Sequence, residues 1–246
     1  SDVCSSDLTL HSSHKGLSTG LFNSATFMND MLNDAGVDSH LEVVIDNNCI
    51  DREVNKHKPT HVIIEALWVT PVKFSILQKL HPEVTWIIRL HSELPFLAGE
   101  GMAMDWLGDY LSYRNVIIGV NAPRMMQEVK DFADAKFGKG LKDNKIIYLP
   151  NYYPQQYQSK ILDKSKVNID IGCFGAVRPL KNHMLQAVAA VKFAESIGKK
   201  VRFHINSGRI EMKGEPVLHN LRGFFNHINH KGHQLISHSW TPREGF

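Results

Sequence analysis

The chain has 246 residues, 43% hydrophobic and 22% charged, with a formal net charge of +3. That balance excludes a disordered, collagen-like or disulfide-dense chain. No apolar run approaches the ~18 residues of a membrane span. The basic residues are dispersed and not interleaved with aromatics, which argues against nucleic acid and suits a small anionic ligand.

Residues 1–8 match one reading frame of a sequencing-adapter end and are set aside as an artefact. Without Asp2 and Asp7 the net charge is +5, and Cys4 drops out of the cysteine count. Cys49 and Cys173 lie beside apolar runs far apart in sequence and are expected to be reduced thiols. The segment 241–246 stops just after a Trp and a Pro, so the chain is expected to be a piece cut at both ends. A cytoplasmic setting is the expectation.

From residue 9 onward, short β-type runs alternate with helical patterns. A short strand is expected over 9–11. A helix follows over 20–35, where Leu21, Ala25, Met28, Leu32 and Ala35 share one face and Gly36 marks the stop. Further strands are expected at 41–45, 62–66, 84–90, 116–120 and 146–149. They are short, continuous and rich in Val and Ile, as strands buried on both faces are. A helix over 71–80 opens on Pro71, where the missing N–H costs nothing. Pro150-Asn151-Tyr152-Tyr153-Pro154 closes this first series, a domain over 9–154. The polar, lysine-rich segment 155–168 reads as a connector. A second series, 169–246, opens with a strand over 169–174, a helix over 182–197 capped by Asn182 and ended by Gly198, and a strand over 201–205. Strands alternating with helices imply right-handed βαβ units and doubly wound parallel sheets, an α/β fold.

In such sheets ligands bind beyond the C-terminal strand ends, where helix N-termini present free N–H groups and partial positive charge. Two loops have that layout. The first, 13–20, carries Gly16 and Gly20, with Ser18 or Thr19 as cap or phosphate donor. Its spacing is not that of a P-loop, and an ordinary β–α turn has the same composition. The second begins at Gly175 and brings Arg178 and Lys181, three residues apart, to a helix start. A planar donor fork and a point charge beside free amides suit a diphosphate; a solvated basic loop is the alternative.

The order of these segments resembles retaining glycosyltransferases of family 4, which have the GT-B fold. The residues that carry the resemblance are Gly16 to Gly20, then Arg89-Leu90-His91, then Leu149-Pro150-Asn151, then Gly175 with Lys181-Asn182. It spans about residues 9–246 and rests on order and separation, with no single decisive motif. Ala176 stands where that family has an Arg directly after the loop glycine, and Arg178 lies two residues further on. The family's paired glutamates, seven residues apart, have no clear counterpart; Glu244 lies only 63 residues beyond Lys181.

The resemblance implies two Rossmann-like domains facing a cleft, the second incomplete. It implies transfer of a sugar from a nucleoside diphosphate sugar to a carbohydrate or lipid-linked acceptor, with retention. Gly16, Gly20, Gly175, Arg178 and Lys181 would hold the donor diphosphate, and His91 would lie at the transferred sugar. Glu93, two residues on, is a candidate acceptor contact. No cofactor and no metal are expected: no Asp-x-Asp occurs, and the spacing of His227, His230, His233 and His238 lacks a Cys or carboxylate partner. A nucleotide- or sugar-binding protein without transfer, and a nucleotide-sugar epimerase of the same fold, are the alternatives. The oligomeric state is left open.

Overall fold

The computed structural model describes residues 3–7 (backbone only), 20–44, 46–138, 143–154, 165–211 and 213–239. The chain divides into two compact units, Ser1–Gln156 and Tyr157–Phe246; the division falls inside the stretch read as a connector. Both units are α/β with all-parallel sheets, as in the Rossmann-like class.

Unit 1 runs β1 (Val3–Asp7), α1 (Gly20–Asp34), β2 (Ser39–Val43), α2 (Cys49–His57), β3 (His61–Glu65), α3 (Pro71–Leu80), β4 (Thr85–Leu90), α4 (Leu94–Leu97), α5 (Ala103–Ser112), β5 (Val116–Val120), α6 (Pro123–Phe137) and β6 (Ile146–Tyr148). The sheet order is β2-β1-β3-β4-β5-β6. Strand order reverses between β1 and β3, so the point where ligands bind in doubly wound sheets lies at the C-terminal ends of those two strands. Right-handed crossovers put α1 on one face and α2, α3, α5 and α6 on the other. The main core follows that division: it joins Val62, Ile64, Trp86, Ile88 and Leu90 to residues of α2, α3, α5 and α6, and holds none from α1.

β1 lies within the eight residues set aside by the sequence reading. It pairs with β2 and β3, Val3 opposite both Ser39 and His61, and so fills a strand-wide position between them. The strand expected at 9–11 and the whole glycine loop as far as Thr19, with Gly16, lie outside the described residues. β2 begins two residues earlier than its apolar letters predict, because the length of β1 sets which residues pair: Val3 to Asp7 against Ser39 to Val43.

At the middle of the core, Phe74 from α3 meets Trp86, Tyr110 and Tyr113 at ring-centroid distances of 5.7, 5.6 and 6.2 Å. The first two contacts are edge-on, the arrangement favoured by ring quadrupoles. Tyr110 also donates its hydroxyl to the Val69 carbonyl, fastening α5 to the loop that leads into α3.

Unit 2 runs β7 (Asn168–Cys173), α7 (His183–Ser196), β8 (Lys200–Asn206), α8 (Glu215–His227) and β9 (Gln234–His238), with sheet order β7-β8-β9. Its core joins Val201, Phe203 and Ile205 to Ala187, Val191 and Ala194 of α7 and to Leu218, Leu221 and Phe225 of α8. Asn182 does not cap α7 with its side chain, contrary to expectation. It sits in the left-handed region at φ 53° with no side-chain cap bond, because a short 3-10 turn, Pro179–Lys181, runs directly into the helix and reverses there.

Phe74→Ala empties the aromatic centre of unit 1. The expected loss is about 3–5 kcal/mol of unfolding free energy, measured by urea denaturation; a loss under 1 kcal/mol would mean that the three rings do not pack as described.

Candidate functional site

Of the expected site residues, His91 and Glu93 follow β4 in unit 1, Gly175, Arg178 and Lys181 follow β7 in unit 2, Gly20 opens α1, and Gly16 lies outside the described residues. In unit 1, side chains alternate between sheet faces. Val62 and Ile64 of β3 and Trp86, Ile88 and Leu90 of β4 point into the main core. Glu65 and Arg89 therefore point to the opposite face, the one α1 covers. They are register partners on adjacent strands, and both are fully buried.

Arg89 Nη1 donates to Glu65 Oε1 at 2.8 Å. Arg89 Nη2 donates to Asn151 Oδ1 at 2.9 Å and, at 3.3 Å, to the Pro150 carbonyl. Ser24 of α1 donates to the same Asn151 oxygen at 3.5 Å. The second Glu65 oxygen, Oε2, meets His91 Nε2 in a short hydrogen bond. A chain of polar groups thus runs from α1 through Asn151, Arg89 and Glu65 to His91, across β3, β4 and the segment after β6. A carboxylate oxygen only accepts, so the His91 proton involved is on Nε2, and Nδ1 is the nitrogen left for another partner. The His91 side chain is 16% exposed, the one member of the inner trio that reaches solvent.

Two further observations mark this end of the sheet. Ala66, the residue after Glu65, has φ +64°, a left-handed conformation that costs a non-glycine residue about 1–2 kcal/mol. Its N–H donates to the Arg89 carbonyl at 2.9 Å, which holds it there. Asn121, just beyond β5, donates to the His91 carbonyl at 3.5 Å. Backbone strain beside a buried charge pair is a usual mark of a site.

Of the remaining unit 1 candidates, Gly20 opens α1, and a Cβ there would meet nothing within 4 Å. Glu93 is paired on the surface with Arg124 at 2.5 Å, and Arg124 also reaches Glu128 at 3.5 Å. Sequence reading singled out His91 and quoted Arg89 and Asn151 only as parts of a segment. It missed Glu65. The signal that was available is a lone carboxylate closing an apolar strand, His-Val-Ile-Ile-Glu.

In unit 2 the chain leaves β7 through Phe174 and Gly175. Gly175 has φ +103°, and a Cβ on it would lie 2.5 Å from Lys181 Nζ. The lysine ammonium therefore folds back over the loop backbone, and glycine leaves it the room. Lys181 also acts on its neighbours: it draws the Cys173 thiol down against the larger upward push of burial. His183 is fully buried at the start of α7. Burial first, and then the Lys181 charge, hold its pKa below the ordinary value. Its ring nitrogens lie near the Arg178 backbone but meet no partner at good hydrogen-bond geometry. Arg178 is half-buried and directs Nη1 toward Glu211 at 3.8 Å. Lys181 and Gly175 are brought together, while Arg178 faces a carboxylate on the segment after β8.

The four histidines near the end do not gather. His233 is buried and accepts the Val201 N–H at 3.0 Å. His238 stacks on His204, with His204 Nδ1 2.9 Å from His238 Nε2. His227 and His230 are exposed. Among the described residues one group has metal-ligand spacing, Glu42, Glu53 and His57. Its carboxylates already meet cations: Lys56 lies 2.7 Å from Glu42, and Arg52 lies 2.7 Å from Glu53. Glu42 pairs β2 with Lys56 and His57 of α2, and the Arg52–Glu53 pair lies within α2. Glu244 lies outside the described residues.

Removing one partner of a buried ion pair strands the other charge. Arg89→Met is expected to lower the stability of unit 1 by about 3–5 kcal/mol, and Glu65→Leu added to it to restore most of that loss, as read by urea unfolding. For His183 the folded pKa lies below the unfolded value of about 6.5. The unfolded chain then binds more protons as pH falls through that value, so the contribution is full above it and lost below it. A stability profile of the wild type is expected to fall below about pH 6.5 more steeply than that of His183→Leu; parallel profiles would remove this role. No protein-family model matches the chain, and no curated protein matches it either.

Proposed function

We propose that this chain is a glycosyltransferase of the GT-B kind, which moves a sugar from a nucleoside diphosphate sugar to a hydroxyl acceptor. The observation that carries the reading is the Lys181 ammonium folded over the Gly175 backbone at the C-terminal end of β7. In parallel α/β sheets that end is where anionic ligands bind. A fixed cation next to the α7 N-terminus is suited to the charge that develops on a departing diphosphate. Preorganised charge of this kind lowers a barrier without reorganising when the bond breaks, and here it needs no metal. Gly175 allows the backbone and the ammonium to approach one phosphate together.

The unit 1 network supplies the complementary chemistry. His91 is oriented through Nε2 by Glu65, and its Nδ1 is suited to accept a hydrogen bond from a sugar hydroxyl. Arg89 and Asn151 hold Glu65 in turn. Gly16, which lies outside the described residues, and Gly20 are the unit 1 residues that the family resemblance assigns to the donor diphosphate. Retention follows from the family resemblance alone. The match of Arg89-Leu90-His91, Pro150-Asn151 and Gly175-Lys181 to that family is consistent with where these residues lie, each at the C-terminal end of a parallel strand.

Calorimetric titration with UDP, GDP and ADP tests the reading. At least one of them is expected to bind. Lys181→Ala is expected to weaken that binding about ten- to a hundredfold, the worth of one charge-assisted contact, with an unchanged circular dichroism spectrum. If none of the three binds, or if the Lys181→Ala protein binds as the wild type does, the diphosphate site at this loop is wrong.

A further inference from the structure

We infer that His204 and His238, on adjacent strands of unit 2, form a two-histidine site for a first-row transition-metal ion, with Cu2+ held most tightly. Val201, Phe203 and Ile205 of β8 point into the core of unit 2. Arg202, His204 and Asn206 therefore point to the opposite face of the sheet. In the parallel register Asp170 lies opposite Arg202, and His238 opposite Asn206. Asp170, His204 and His238 share that face and are joined in a chain. His204 Nε2 lies 2.8 Å from Asp170 Oδ1, and His204 Nδ1 lies 2.9 Å from His238 Nε2. Of the histidines near the end of unit 2 only His238 takes part; its partner comes from β8.

A carboxylate oxygen only accepts, so His204 Nε2 carries a proton. Neutral His204 then turns the lone pair of Nδ1 toward His238. Metal-ligating histidines are arranged in this way: a carboxylate on one ring nitrogen fixes the tautomer and makes the other more basic. Two nitrogens about 2.0 Å from an ion lie about 2.8 Å apart on a square-planar edge and about 3.3 Å apart on a tetrahedral one. The observed 2.9 Å is nearer the first, the geometry of Cu2+ and Ni2+, and Cu2+ heads the affinity order. No proton is released: the ion takes the place of the hydrogen between the two nitrogens, and His238 carries that hydrogen on Nδ1 instead.

The surroundings fit an ion. Asn206 is 1% exposed, and its Oδ1 has no hydrogen-bond partner among the described residues. A buried carbonyl oxygen without a donor is costly; an ion bound at His238, its register partner, gives it a third ligand's place. The cation on this face, Arg202, is neutralised by Asp170 Oδ2 at 2.6 Å. The His238 carbonyl accepts the Ser207 N–H at 2.9 Å, and both ligands stand on strands, which fix position more closely than loops do. The carboxylates of Glu42 and Glu53 are occupied by lysine and arginine, whereas the facing nitrogens of His204 and His238 meet only each other. β9 is the outer strand of the order β7-β8-β9, so the ion fastens it to its neighbour. The site goes beyond the sugar-transfer reading, since neither Lys181 nor His91 takes part.

The test is addition of substoichiometric Cu2+ to the chain, read by NMR of the histidine rings assigned through the backbone. The paramagnetic ion is expected to broaden the His204 and His238 signals first. In calorimetric titration, His204→Phe and His238→Phe are each expected to weaken Cu2+ binding about a hundredfold, and Asp170→Asn about tenfold. Zn2+ is expected to bind the same pair less tightly. Affinity is expected to fall as pH drops through about 6.5, where imidazoles take up protons. Circular dichroism shows whether each variant is folded; if one is not, the broadening in the wild type decides. First broadening at His57 overturns the inference and assigns the ion to the Glu42–Glu53 cluster. Equal broadening of the exposed His227 and His230 means adventitious binding only and overturns it as well. So does unchanged Cu2+ affinity in both folded Phe variants.

Discussion

The buried Glu65–Arg89 pair sets the conditions for the C-terminal end of the first sheet. Taking both charges out of water costs several kcal/mol per ion even after relaxation. Apolar side chains of similar volume would fill that space at no such cost. What the pair supplies is orientation. Glu65 has one oxygen on Arg89 and the other on His91, so the imidazole is held by a group that is itself held. Arg89 extends the same restraint to Asn151 and the Pro150 carbonyl, tying the segment that leaves β6 to the middle of the sheet. The strained Ala66 backbone is kept in place by its bond to the Arg89 carbonyl. Loss of the pair would release the chain where it leaves β3, β4 and β6.

The two units place opposite chemistry at equivalent positions. At the ends of β3 and β4 there is a carboxylate-anchored imidazole. At the end of β7 there is a lysine ammonium over a glycine. Both arise from the same rule of parallel sheets: strand C-termini and helix N-termini lie at one edge, and the loops between them carry whatever side chains the fold does not need for packing.

The histidine-rich end of unit 2 shows how composition can mislead. Four histidines within twelve residues suggest a metal site, yet the fold sends them apart. His233 turns inward to satisfy the Val201 N–H, and His238 lies on the strand face beside His204. Alternation along β9 and the turn at Gly232 separate them, because direction in a strand reverses with each residue.

The sequence by itself determined the alternating α/β plan, the extents of strands such as Val116–Val120 and of helix Pro71–Leu80, and the glycine, lysine and histidine positions at strand ends. These are local properties: apolar periodicity, β-branched runs, and prolines and glycines at boundaries. It did not determine the partner of His91, the conformation of Asn182, or the direction of Arg178, which faces Glu211. Nor did it show that Val72, Ile76 and Leu80 lie outside while Phe74 and Leu77 lie inside, since all five letters read alike. Those outcomes depend on which strand lies beside which, and on which face of a helix meets the sheet. They are set by contacts between residues 24 and 151 or 65 and 89, a separation at which a pattern of neighbouring letters carries no information.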